Sequence, residues 1–187
     1  SSPYVAICTG GYGGGKEALE EIAPSRLGYV CTAAKSSTGD GLLMAEAVGA
    51  QIVNAESITY RTIAAGVDNV GGAIGLHNAP SAGAIIVNKE GKRFASEIGD
   101  DEALVLGIQA QTGGVGYVIM DQAAMDARYD VSGLYIPGTY ENLFTKADTL
   151  EELAEKMGID ARQLVATVEE YNASVEKGVD EALGREK

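Results

Sequence analysis

Hydrophobic and polar positions alternate along this chain in two styles. The N-terminal part consists of short apolar runs broken by glycine clusters, whereas the last forty residues carry amphipathic helical stripes with clear caps. Tyr4-Val5-Ala6-Ile7-Cys8 predicts a short buried strand that runs into Thr9-Gly10-Gly11-Tyr12-Gly13-Gly14-Gly15. Lys16–Ala23 predicts a helix stopped by Pro24, and Gly28–Thr32 is apolar and β-prone. Leu42–Val48 predicts a helix closed by Gly49; it is apolar on nearly all faces, so burial is expected. Gln51–Ala64 reads as extended. Ala84-Ile85-Ile86-Val87-Asn88, the turn Lys89-Glu90-Gly91-Lys92 and the β-prone Arg93-Phe94-Ala95 predict a hairpin.

Asp101–Gln111 predicts a helix, Tyr117–Met120 a strand, and Asp121 a cap for a helix over Gln122–Arg128. The C-terminal signals are sharper. Thr149 with Glu152 forms a capping box for Leu150–Met157, which Gly158 ends. Asp160 with Gln163 forms a second box, and Ile159 with Leu164 fits a hydrophobic staple. Leu164, Val165, Val168, Tyr171 and Val175 then fall on one helical face, and Gly178–Lys187 is polar and expected to trail off. The fold class is α+β, with a mixed, mostly antiparallel sheet and flanking helices. A strand at Tyr4–Cys8 has no sheet before it to join, which points to a piece of a longer chain.

Composition narrows the function classes. A length of 187 residues suffices for one full core or two small domains. A net charge of −13 argues against nucleic acid and against an anionic membrane surface, both of which select for Lys and Arg. No apolar run is long enough to span a membrane, no basic-then-apolar leader is visible, and the expected location is cytoplasmic unless a signal peptide lies in sequence not present. One histidine and no CxxC leave no metal-ligand spacing. Cys8 and Cys31 sit in apolar surroundings and read as buried free thiols.

The chemistry concentrates at Ser37-Thr38-Gly39-Asp40-Gly41, which opens the Leu42–Val48 helix. Glycines permit close backbone approach, the helix N-terminus favours a polar or anionic ligand, and Asp40 can accept hydrogen bonds from a sugar hydroxyl. The competing reading is that Thr38 or Asp40 is only an N-cap. His77 in its glycine-rich loop is either a ligand-binding or an ordinary loop residue. Lys89, Lys92 and Arg93 read as a solvated hairpin tip, and Tyr135 and Tyr140 as packing anchors on a loop.

Four segments, Ala6-Ile7-Cys8-Thr9-Gly10-Gly11-Tyr12, Ser37–Gly41, Gly83–Phe94 and Ala147–Ala154, stand in an order that resembles the FAD-dependent fumarate reductase and succinate dehydrogenase flavoprotein family, in its soluble flavocytochrome c and urocanate reductase branch. The resemblance extends from about residue 4 to 185. It implies a flavin domain interrupted by a capping domain: residues 1–52 as a segment of the FAD-binding domain, 53–146 as the substrate-closing cap, and 147–187 as the C-terminal helices of the cap returning toward the flavin domain. It implies FAD, in the full-length enzyme, as the cofactor. Asp40 is then the main contact, Thr9, Gly10, Thr38, Gly39 and Gly41 its backbone neighbours, and His77 the match to a substrate-binding histidine.

Departures limit the resemblance. No GxGxxG follows a first strand, and the family's C-terminal flavin segment has no counterpart here. The arginine that the family carries shortly after Arg-Phe-x-x-Glu, as proton donor, is replaced in Glu97-Ile98-Gly99-Asp100-Asp101-Glu102 by acidic residues. No catalytic residue is therefore assigned. The expected function is the cap region of an FAD-dependent oxidoreductase that reduces an activated C=C bond by hydride transfer. Its partners would be the remainder of the flavoprotein and a small unsaturated substrate, with no nucleic acid and no membrane. The alternatives are an isolated, non-catalytic cap domain that holds no flavin and a glycine-rich binding module for another small polar ligand.

Overall fold

A computed structural model describes residues 3–29, 31, 33–59, 79–126 and 144–185. The chain divides into two compact units, one carrying the described residues 3–59 and the other the described residues 79–185. His77, Tyr135 and Tyr140 lie outside the described residues. The described elements are helices and one small antiparallel sheet, an α+β arrangement.

In the first unit, α1 spans Lys16–Ile22 and Pro24 opens a short 3-10 turn, as the proline requires. The second helix, α2, spans Asp40–Ala47 and gives way at Val48 and Gly49. Among the described residues of this unit, the buried ones are all small: Gly15, Ala18, Ala23, Gly39 and Gly41. Backbone therefore packs against backbone, with Gly14 N–H donating to Ser37 O at 2.9 Å and Gly39 N–H donating to Gly11 O at 3.1 Å. Tyr12 adds a hydroxyl bond to Ala55 O, and Arg26 Nη2 donates to Glu56 O at 2.9 Å.

Three expectations fail in this unit. Residues 4–8 form no strand, because no neighbouring strand among the described residues offers a ladder. Cys8 is exposed and Cys31 half-buried; both are free thiols, but neither is buried. The α2 helix is not sheathed: Met44 is 61% exposed and Val48 85%. A core made of glycine and alanine has too little apolar surface to cover these larger side chains.

The second unit has the larger core. Strand β1 (Ile85–Val87) pairs antiparallel with β2 (Tyr117–Ile119), in the register Ile85 to Ile119 and Val87 to Tyr117. The expected hairpin survives only as its turn, where Val87 meets Arg93 in an isolated bridge. The ladder partner of β1 is the distant β2, not the segment that follows the turn. Helix α3 (Asp101–Gln109) is capped by Asp100, and residues 122–126 are helical with Asp121 Oδ1 accepting from Ala124 N–H at 2.7 Å.

Helices α4 (Leu150–Met157) and α5 (Ala161–Lys177) form where the caps place them. Thr149 Oγ1 accepts from Glu152 N–H at 3.2 Å and Asp160 Oδ1 accepts from Gln163 N–H at 2.8 Å. The box at α4 is displaced by one residue, since Glu152 accepts from Asp148 N–H. Ile159 and Leu164 join Ile85, Val87, Ile119 and Ala154 in one core, which confirms the staple. The apolar stripe of α5 is buried at Leu164 and packed at Val168 and Tyr171, and it runs out at Val175, which is 51% exposed.

The turn after β1 is docked, not solvated, at its centre. Lys89 and Lys92 are exposed, but Gly91 is buried against the start of α5. Thr167 Oγ1 donates to Gly91 O at 2.7 Å, and Asp160 N–H donates to Lys89 O at 3.3 Å. Gly91 has φ 75°, and a Cβ there would lie 2.8 Å from Leu164 N and 2.9 Å from Asp160 O. Only glycine meets both demands.

Gly91→Ala is expected to destabilise the second unit by about 2–4 kcal/mol, the combined cost of a left-handed alanine and of backbone overlap. Asp160→Ala should cost about 1 kcal/mol through the lost cap. Urea unfolding followed by far-UV circular dichroism measures both, and a Gly91→Ala variant as stable as the parent would contradict the docking.

Candidate functional site

The predicted loop is assembled from two segments of the first unit. The glycine run after Thr9 lies along residues 37–41, so Thr9, Gly10, Thr38, Gly39, Asp40 and Gly41 come together. Their roles differ. Gly39 is the N-cap of α2, with φ 84°, and no side chain caps this helix. That removes the N-cap reading of Thr38 and Asp40. A Cβ on Gly39 would lie 2.5 Å from Ala18 Cβ, and one on Gly41 2.1 Å from Thr9 Oγ1. These two glycines make room for the chain's own side chains.

What remains open is Asp40 and the outer edge of the glycine run. Asp40 is exposed in the first turn of α2, and its carboxylate makes no hydrogen bond or ion pair among the described residues. The helix N-terminus stabilises its negative charge. A Cβ on Gly10 would meet only Ser37 Oγ, at 3.8 Å, and one on Gly11 would meet nothing within 4 Å. Gly11, absent from the sequence-derived site residues, thus belongs to the accessible backbone edge. Its only signal in the sequence is its place beside Gly10. An acceptor carboxylate next to uncovered glycine backbone suits a ligand rich in hydroxyls, and the ribose part of FAD is of that kind. The residues present fit one edge of such a group.

The second unit holds a different constellation. Arg93, expected at a solvated tip, is instead buried: its side chain is 7% exposed. Its guanidinium donates from Nε to Glu97 Oε1 at 2.8 Å, and from Nη2 to Glu97 Oε2 at 2.7 Å and Asp180 Oδ2 at 2.8 Å. The ring of Tyr171 lies 4.8 Å away. Glu97, wholly buried, also accepts from Ile86 N–H at 3.1 Å and from Arg185 Nη1 at 3.3 Å. Two arginines and two carboxylates therefore balance one another inside the unit, as buried charges must.

These partners move the titrations. Burial disfavours the Arg93 cation, but Glu97 and Asp180 outweigh it and raise its pKa above the ordinary arginine value. Burial likewise disfavours charged Asp180, yet Arg93 and the Leu183 and Arg185 N–H groups hold its carboxyl below the usual range. The acidic stretch after Glu97 is explained by local structure. Asp100 Oδ1 accepts from Glu102 N–H at 2.9 Å and from Ala103 N–H at 3.2 Å, as the cap of α3. No cluster of metal-binding side chains occurs among the described residues, and none of their helices is long and apolar enough to cross a membrane.

Asp180→Ala is expected to lower stability at pH 7 by about 2–3 kcal/mol, because it removes a charge-assisted bond inside the unit. A group with a lowered native pKa stabilises above its unfolded value, about 3.9, and loses that contribution as pH falls through its native value. The gap between parent and Asp180→Ala should therefore be constant from pH 7 to about 5 and shrink below about 4. Urea unfolding at a series of pH values reads this gap.

The chain is similar to known proteins over nearly its whole length. The FAD binding domain family matches residues 3–187. The fumarate reductase (cytochrome) of Shewanella frigidimarina is 32% identical over 180 residues, covering 94% of this chain and 30% of that protein. The urocanate reductase of Eggerthella lenta is 32% identical over 187 residues, again with 94% and 30% coverage. Among solved structures, the open conformation of a flavocytochrome c3 fumarate reductase superposes with a TM-score of 0.74 at 30% identity, over 95% of this chain and 30% of that one. The chain thus spans about 30% of the length of these relatives. With that match over nearly its whole length, the chain belongs to the FAD binding domain family, whose cofactor is FAD.

Proposed function

We propose that this chain is part of a longer FAD-dependent oxidoreductase that reduces an activated C=C bond in a small substrate. The observation that carries the reading is the exposed Asp40 carboxylate beside the open Gly10–Gly11 edge, in a chain that matches an FAD binding family end to end. Relatives are named as reductases of fumarate and urocanate, and both of those molecules carry a conjugated C=C bond, which supplies the reaction class. When bound in its reduced form, the flavin would supply a hydride to one carbon of the double bond and be left oxidised, while the other carbon takes a proton. In this reading the first unit is a segment of the flavin domain, with the boundary near residue 52. Residues 53–146 form the cap that closes over substrate, and residues 147–187 its C-terminal helices.

Asp40 accepts hydrogen bonds from a ribose hydroxyl of the cofactor. Thr9, Gly10, Thr38, Gly39 and Gly41 shape the backbone around it, and His77 binds substrate. The unsheathed apolar side chains of the first unit, Tyr4, Val5, Met44 and Val48, support a larger flavin domain that covers them. Asp100 stands as a helix cap where the resembled family has its proton-donating arginine nearby, which favours a substrate other than a dicarboxylate.

Three measurements test this. The chain by itself should not retain FAD through gel filtration, since it offers one edge of the site. In an NMR titration, millimolar FAD should shift the amides of residues 9–11 and 38–41, and Asp40→Ala should abolish the shifts. Unshifted amides in the parent would overturn the assignment of the loop. The mass of the native gene product should greatly exceed that of 187 residues.

A further inference from the structure

Residues 178–185, expected to trail off, instead form a strap that is fastened at two points. The strap lies between two left-handed glycines, Gly178 at φ 77° and Gly184 at φ 67°. A Cβ on Gly184 would meet nothing within 4 Å, so this glycine serves the backbone bend and not close packing. Asp180 is the first fastening, through Arg93 at 2.8 Å. Arg185 is the second. Its Nη1 donates to Ala84 O at 2.8 Å and its Nη2 to Pro80 O, across more than a hundred residues of sequence. The same guanidinium reaches Glu97 and stacks 5.1 Å from the Tyr171 ring centre, near Arg93.

Geometry makes the second fastening specific to arginine. Two carbonyl oxygens, one carboxylate and one aromatic ring are engaged by a single planar fork, which a lysine ammonium cannot reproduce. Pro80 opens and Ala84 follows the 3-10 turn that leads into β1, whose own bonds among the described residues run from Ala82, Gly83 and Ala84 N–H to Ala79 and Pro80 carbonyls. Ala79, Pro80 and Ala84 of that turn are buried, but neither the turn nor the strap belongs to the apolar cluster around Leu164. Between α5 and the strap lies a cleft of about 340 Å³, lined by Lys92, Thr167, Tyr171, Asp180, Ala182 and Leu183.

We propose that Arg185 is a latch that couples the 79–84 turn to the 178–185 strap, so that the two open and close as one element, the strap being one wall of this cleft. The rest of the unit stays folded when the latch opens, because its main apolar cluster of Ile85, Val87, Ile119, Ala154, Ile159 and Leu164 lies outside both segments. Local openings of this kind are visible as hydrogen exchange below the global unfolding limit.

Amide exchange by NMR on the intact chain tests the coupling. In Arg185→Lys, exchange at Ala82, Gly83 and Ala84 and at Val179, Leu183 and Gly184 should rise together by at least about tenfold, with the α5 amides unchanged. Tyr171→Phe keeps the ring and should exchange like the parent. In the unmutated chain, the two segments should share one urea dependence of exchange, whether or not the variant folds. A rise confined to residues 179–184, an equal rise throughout α5, or different urea dependences for the two segments would each overturn the latch.

Discussion

The second unit is organised by one buried carboxylate. Glu97 is fully desolvated, and such a charge survives in a folded protein only if cations and N–H groups surround it. Its requirement draws Arg93 inward from the turn, Arg185 back from the far end of the chain, and the Ile86 N–H out of the strand edge. Arg93 in turn needs Asp180, and both arginines share Tyr171. A set of short-range elements thereby becomes a closed unit. Ionic networks of this sort add little net stability against an apolar equivalent, but losing one member leaves an uncompensated charge, so the geometry is defined strictly.

Around this network the apolar core provides the non-directional stabilisation. β1 and β2 supply Ile85, Val87 and Ile119, and the α4–α5 pair supplies Ala154, Ile159 and Leu164. The turn after β1 connects core and network, with Gly91 seated on the first residues of α5 and Arg93 two residues on in the charge cluster. The first unit is built the opposite way. Its buried described residues are glycines and alanines, its backbone segments touch directly, and large apolar side chains such as Met44 and Val48 are exposed. Such packing sets the 9–11 and 37–41 segments side by side, and it leaves the Asp40 carboxylate exposed.

Legibility in the sequence follows the range of the interactions. The caps at Thr149 and Asp160, the staple from Ile159 to Leu164 and the stop at Pro24 are set by residues close to one another in sequence, and the structure contains all of them. The strand expected at 4–8 is absent, because a strand exists only if a partner supplies the other half of its hydrogen bonds. The hairpin is half right for the same reason: its turn is local, but the partner of β1 is β2. At the candidate site, the grouping of Thr9 with Asp40 is legible from the family resemblance. That Gly39 and Gly41 accommodate Ala18 and Thr9, while Gly10 and Gly11 stay open, is not.

The sequence by itself determined the presence of the described helices, the caps at Thr149 and Asp160, the membership of an FAD binding family, and the acidic run that stands after Glu97 in place of an arginine, since each is written in short local segments. Only the tertiary structure decided that Arg93 is a buried anchor instead of a solvated tip, that Arg185 reaches Pro80 and Ala84, and that Asp40 caps nothing. The two arginine contacts depend on which charges and carbonyls meet across about a hundred residues of chain. No local pattern encodes such a meeting; the cost of leaving a buried charge unpaired enforces it once the core has formed.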